Sequence, residues 1–448
     1  MKALRDEAHE LVEIARTAGA DDVVCEVIES SIREARFSNS EIDAANSWNE
    51  SHAVLFVAVG KRTLSSDLRD LGRGKQVARE LVSQAAKAPE IKGYGGIGAG
   101  KFKYSSRKAD TRIAQLRDPS RFVLDAIAGA ESAGANNVGG TMYVRHHRTG
   151  IASSGGAFGT DELATIDLSV RAFSQPEASG HTVCCTPRYS GIKARETGKR
   201  AGELSIQARN PVLGDEGKFD IVVEPLYTGS QMHFTQNMLS AMLVEIGQSM
   251  YVKRVGKPVA SKVVTLVDDP EMDSISRRAF DHEGVPTRRN VLIKNGVLKT
   301  YMHNTSTAKR AKTKTTANAG PLIPTLFTIT AQPLAFHPVI EKGDWSREEI
   351  ISDTKNGLYL NNTWYTRFQS YATGDFSTIP RDAILRIQDG EIVGAVKNIR
   401  ISDNMMNFWK SVDALSKSSE EVFWWDEASP PSTLPMLRAK SMNITRSS

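Results

Sequence analysis

At 448 residues the chain has room for two or more domains, and 40% hydrophobic against 24% charged residues gives it core material without metal or disulfide staples. Its 57 basic and 52 acidic residues leave +5, too small and dispersed an excess for the concentrated basic face of a nucleic-acid binder. Cys25, Cys184 and Cys185 show no C-x-x-C spacing, and the longest apolar run, Val54 to Val59, is far too short for a membrane span; a cytoplasmic protein without signal peptide or membrane segment is expected.

Leu4, Ala8, Leu11, Val12 and Ala15 keep helical spacing up to Gly19, and Asp22 to Glu29 reads as the first strand. Arg33 to Phe37 and His52 to Val59 predict further strands, Gly60-Lys61-Arg62 turns the chain into Thr63 to Ser65, and a helix over Lys75 to Lys87 ends before Pro89. This α/β subdomain occupies 1–90. Gly95 to Phe102 fits G-x-x-x-x-G-K but places Phe102 where a phosphate loop needs a hydroxyl, and it follows a helix and a proline. A flexible Gly-rich linker over 91–118 is the reading. Residues 119–215 repeat the theme: helix from Pro119 to Gly134, hairpin strands Thr141 to His147 and Gly150 to Ser154, strand Asp161 to Phe173, helix Gly191 to Arg209.

The C-terminal half opens on strand Phe219 to Pro225 and a helix whose Met232, Leu239, Met242, Leu243 and Ile246 form a stripe that core packing explains. Lys262 to Val267, a hairpin over 291–303, Leu326 to Thr330, Gly357 to Asn361, and Ala383 to Ile387 paired with Glu391 to Ile401 read as strands, with Asn295-Gly296 and Asp389-Gly390 as hairpin turns. The basic run Lys309 to Lys314 reads as a solvated loop. A β-rich domain over 216–425 is expected, then a flexible tail over 426–448 rich in Ser and Pro. The fold class is α+β rather than a doubly wound parallel sheet.

Ser153-Ser154-Gly155-Gly156 lacks the G-x-S-x-G elbow of a nucleophilic serine and reads as a turn. Cys184 and Cys185 read as buried strand thiols, and His146-His147, adjacent on a strand, point to opposite faces and share no metal. His282-Glu283 is followed by Gly284 and Pro286, so it sits in a turn and not on a zinc-binding helix.

The block Asp281 to Tyr301, the segment Tyr371-Ala372-Thr373-Gly374-Asp375-Phe376-Ser377 and the hairpin Ile387 to Ile392 resemble the C-terminal domain of the TldD/PmbA family, described as zinc peptidases and, under an older label, as modulators of DNA gyrase. Active members carry His-Glu-x-x-x-His on a helix after the domain's first strand, where two imidazoles grip Zn²⁺ and the Glu activates its water. In the matching stretch Gly229 and His233 keep the family's spacing, but Phe234 stands at the Glu position and Met238 at that of the second His. The resemblance therefore implies the PmbA/TldE-like branch: a metal-free, non-catalytic subunit with no cofactor of its own, paired with a TldD-like zinc peptidase that processes peptides in the cytoplasm. A homodimer when alone is a further implication; contact with nucleic acid is not expected. Arg367, Asp375 and Ser377 are the candidate peptide contacts, with Arg367 placed to meet a peptide carboxylate or Asp375. The alternatives are a zinc peptidase using His233 with an unconventional ligand set, or a binding protein that modulates DNA gyrase.

Overall fold

In the computed structural model, which describes residues 2–105, 107–323 and 331–446, the amphipathic helix α1 (Lys2–Thr17) leads into three antiparallel strands, β1 (Asp22–Ser38), β2 (Glu41–Val59) and β3 (Arg62–Leu68), and then α2 (Gly74–Ala85). After the short α3 (Thr111–Ala114) the order recurs: α4 (Ser120–Ser132), β4 (Asn137–Ser153), β5 (Phe158–Gln175), β6 (Ala178–Thr186) and α5 (Ala194–Gln207). The strands join in one antiparallel sheet, β3-β2-β1-β4-β5-β6, with β1 against β4 at its centre. The order is symmetric about that seam. A pseudo-dyad there matches Asp22 with Asn137, Glu41 with Phe158 and Arg62 with Ala178 at the strand starts, as expected of a duplicated unit.

Two sequence readings change here. Arg33 to Phe37 is not a separate strand, since β1 runs unbroken to Ser38; and the hairpin expected around residue 149 is the single strand β4. Gly150 signals a close approach instead of a turn, because a Cβ there would collide with the backbone of Leu4 and Arg5 in α1. The glycines of 93–100 serve the same purpose. Gly95 N–H donates to Ser306 Oγ at 2.9 Å, Gly100 N–H donates to Gly155 O at 2.9 Å, and a Cβ on Gly98 would strike Val285. Within the segment expected as a flexible linker, residues 95–100 are thus a strap held to the N-terminal sheet at Gly155 and to the C-terminal half at Val285 and Ser306.

That half begins with β7 (Val212–Leu213), β8 (Gly217–Val223), α6 (Pro225–Met238), α7 (Ala241–Glu245), β9 (Leu266–Asp268), β10 (Asn290–Lys294), β11 (Val297–Leu298) and α8 (Thr305–Arg310). It continues with β12 (Pro338–Ile340), α9 (Arg347–Ser352), β13 (Asn356–Ser370), β14 (Asp375–Gln388), β15 (Glu391–Lys397), β16 (Ile399–Asn404), α10 (Met405–Ser411), β17 (Val412–Trp424) and β18 (Ala428–Arg446). Both expected tight turns have φ above zero at each central residue, 47° and 77° at Asn295-Gly296, 47° and 85° at Asp389-Gly390. The strand expected at Leu326 to Thr330 lies outside the described residues.

The expected flexible tail is corrected: residues 428–446 form β18, hydrogen-bonded between β12 and β8 in the large sheet. Leu434, Met436, Leu437 and Ala439 are buried there, and that burial outweighs the loop-like Ser and Pro content before them. The helical stripe also stops early: Met232 and Leu239 are fully buried, but the helix ends at Met238 and Ile246 is 58% exposed.

The α+β architecture places the strands' two faces differently. Val23, Cys25 and Val27 of β1 pack under α1 and α2, while Val24, Val54 and Ile151 turn to the C-terminal half and meet Ala279 and Phe280. The site lies along that contact.

Candidate functional site

β8 delivers the chain to Pro225, which opens α6 at the helix position where a missing N–H costs nothing. Nearly all of α6 is buried; a Cβ on Gly229 would lie 3.1 Å from Ala428 and Val422, so the glycine lets the helix settle on β17 and β18. His233 is half-buried, and its Nδ1–H donates to Ser429 O at 3.0 Å. Burial lowers its pKa, the Ser429 carbonyl opposing that shift, which keeps the ring neutral with the Nε2 lone pair free. One lone pair is all the helix offers. The Phe234 ring packs edge-on to His233 at 4.9 Å and against Phe368 at 5.0 Å, and Met238 is fully enclosed in the main core. Residues of this kind do not fit zinc: the positions for a general base and a second imidazole are apolar and packed. Among the described residues no three His, Cys, Asp or Glu side chains gather as a ligand set elsewhere either.

A cavity of about 290 Å³ lies between the N-terminal sheet and the C-terminal half, lined by His147, Asp161, Arg277, Phe280, Phe336 and Pro430 among others. Pro430 adjoins the carbonyl that holds His233. From Arg278 on that lining a polar seam runs inward: Arg278 Nη1 lies 3.0 Å from His282 Nε2, and His282 Nδ1 meets Glu26 Oε2 at 2.9 Å. The turn around His282 is built by Asp281, which accepts N–H groups of Glu283, Val285 and Ala319 at 2.9–3.1 Å, and by Glu283, which accepts from Thr305. Burial raises both carboxyls. As the sequence implied, His282-Glu283 lies in a turn.

Glu421 of β17 is half-buried where β17 meets β6 and accepts Ile275 N–H at 2.7 Å. Burial pushes its carboxyl up to about 8, the Ile275 N–H pulling down and Asp273 adding to the rise. A carboxyl raised in the folded state holds a proton that the unfolded chain has lost, so its contribution falls as pH climbs from about 4.5 to 8, by at most ~1.4 kcal/mol per pH unit. Glu421→Gln, a mimic of the protonated form, is expected to flatten that decline in urea titrations from pH 5 to 8; parallel pH profiles for variant and parent would refute it.

Arg367 lies on β13 opposite Ser377 of β14, and Asp375 opposite Ser370. Asp375 and Ser377 share an open recess of about 610 Å³ with Lys218, Arg400 and Asn404. The expected Arg367–Asp375 pair is not formed. Asp375 takes Thr373 Oγ1–H at 2.6 Å and Asn404 Nδ2–H at 2.9 Å, the Thr373 bond first among the causes that lower its pKa. Ser377 Oγ receives Arg400 at 3.2 Å, and Arg367 lies over the Tyr365 ring at 4.8 Å. The residues braced by turn chemistry are thus Asp375 and Ser377, while Arg367 stays exposed.

Sequence reasoning missed the group around Trp424. Its ring meets His181 at 4.6 Å and Trp364 at 5.7 Å, Arg171 and Arg381 cover the two indoles, and a cavity of about 750 Å³ adjoins them. The aromatic-rich strings Trp364-Tyr365 and Phe423-Trp424-Trp425 were the available signal. Glu26–His282 had none, its partners lying 256 positions apart.

A family model for the PmbA/TldA metallopeptidase C-terminal domain matches residues 216–446. A metalloprotease of Methanothermobacter thermautotrophicus is 31% identical over 223 residues, 49% of this chain and 47% of that protein. One of Methanocaldococcus jannaschii is 30% identical over 228 residues, 48% and 49% of the two chains. The matches span about half the length of these curated relatives. The crystal structure of TldE from Thermococcus kodakarensis superposes with a TM-score of 0.85 over 98% of this chain and 100% of that one, at 18% identity, a likeness of fold.

Proposed function

Since the chain belongs to the PmbA/TldD family, we propose that it serves as the metal-free, non-catalytic subunit of a two-subunit metallopeptidase, paired in the cytoplasm with a TldD-type subunit that holds the zinc. The observation that carries this reading is α6: a helix kept in place against β17 and β18, with His233 retained but Phe234 and Met238 built into packed apolar surroundings. Such a helix supports the shape of a chamber and supplies no activated water. The relatives named metalloproteases support the peptidase context. In this reading Arg367, Asp375 and Ser377 contact peptide in the assembled complex.

Elemental analysis of the purified, tag-free chain is the first test, followed by co-purification with a TldD-type subunit from the same source. Below about a tenth of an equivalent of zinc, no peptide hydrolysis alone, and a stable complex that hydrolyses unfolded peptides are expected. Near one equivalent of zinc together with chelator-sensitive hydrolysis by the isolated chain would replace this reading with an unconventional zinc site. Association with DNA gyrase in place of a peptidase subunit would equally overturn it.

A further inference from the structure

One side of β2 is bare for most of its length. β1 pairs along β2 from Glu41 onward, but β3 pairs only from Ala53 to Val59, so residues 42–52 have no strand on their outer edge among the described residues. The pseudo-dyad matches this stretch with the start of β5, which β6 leaves unpaired before Ile166. There the chain covers its own edge. Arg277 Nη2–H donates to Glu162 O at 2.7 Å, Arg277 Nη1 lies 3.8 Å from Asp161, and Ala279 N–H donates to Asp161 Oδ2 at 2.8 Å. An irregular, arginine-bearing segment thus lies on an acidic strand edge.

β2 carries the same kind of charge and, among the described residues, no such cover. Glu41, Asp43 and Glu50 are exposed, separated by Asn46, Ser47 and Asn49. Asp43 takes the Ser38 hydroxyl at 2.5 Å, and Glu50 faces Arg69 at 3.6 Å with both side chains well exposed. Inward of this edge, a recess of about 460 Å³ on the sheet face runs across β2, β1 and β4 and adds Glu29 and Glu50 to the acidic surroundings, beside His146 and Arg148. Unpaired edges are templates for strand addition, in which main-chain hydrogen bonds give affinity and alternate side chains give selectivity. The carboxylates repel a phosphate backbone, and two such edges set against each other would oppose like charges. We propose that residues 42–52 of β2 capture an extended basic peptide segment by strand addition.

Neither zinc nor a partner subunit enters this step, so the isolated full-length chain tests it independently of the reading above. The probe is a fluorescein-labelled ten-residue peptide alternating arginine and threonine, with hydrogen exchange followed along the chain. Saturable binding is expected, with slowed exchange confined to 42–52. Affinity is expected to fall at least tenfold in the Asp43→Lys, Glu50→Lys double variant. It is also expected to fall at least tenfold for a peptide N-methylated at alternate backbone nitrogens, which keeps every charge and loses the donors. No binding, protection elsewhere, or equal affinity for the N-methylated peptide would overturn the proposal. Protection of 42–52 that grows with protein concentration without peptide would overturn it in favour of a second copy.

Discussion

Glu224→Gln is expected to lower the unfolding free energy at pH 7 by about 3 kcal/mol, the low end of the cost of breaking a buried ion pair. The Glu224 side chain is 5% exposed at the start of α6 and holds three partners: Arg200 Nη2–H at 2.8 Å, the Arg347 guanidinium and the Tyr359 hydroxyl. An amide keeps the shape but leaves two guanidiniums facing each other without their anion. Glu420 reaches Arg200 at 3.5 Å and Arg347 at 2.6 Å from a more exposed position, and this partial substitute is why the low end applies. Burial alone would raise the Glu224 pKa, but Arg200 and Arg347 outweigh it and hold it below the ordinary 4.5. A depressed carboxyl stabilises above its unfolded pKa and loses that effect as pH falls through its folded value. The gap between parent and variant in urea midpoints should therefore narrow in acid. A variant with the parental midpoint at pH 7 would show that the cluster contributes nothing.

Gly198→Val is expected to cost about 3 kcal/mol, the upper end of the ordinary penalty of overpacking, because the obstruction is backbone. Gly198 and Gly202 lie one turn apart on α5 against Ala126 and Ala130 of α4, and Gly129 faces Arg195 in return. A Cβ on Gly198 would land on the Ala126 carbonyl, which no rotamer change relieves. The helices must part, loosening the cluster of Val123, Ala126, Ala130 and Ala201 over β4 and β5. Guanidinium unfolding reads the loss; an unchanged midpoint would mean that α4 and α5 separate freely.

What the sequence made legible was local. Helical spacing marked α1, α2, α4 and α5, and the two tight turns announced their hairpins, because each signal is complete within a few residues. Long pairings were not legible. The extent of β1 and β4, the placement of β18, and the Glu26–His282 contact depend on partners far along the chain, and Gly150 and Gly198 mark close approaches whose partners only the fold identifies. Arg367 failed as a partner for Asp375 for the opposite reason: nearer groups, Thr373 and Asn404, satisfied the carboxylate first.

The central position of β18 has a kinetic consequence. Its Ser441 amide bonds to Asp220, 221 positions earlier, so the large sheet cannot close until a very long loop has been paid for in entropy. Such non-local pairing makes folding slow. In the interval β8 lacks one of its two neighbours and presents an apolar edge, Phe219 to Val223, to any other chain nearby. The same arrangement that makes the finished sheet secure makes its assembly the step most open to aggregation.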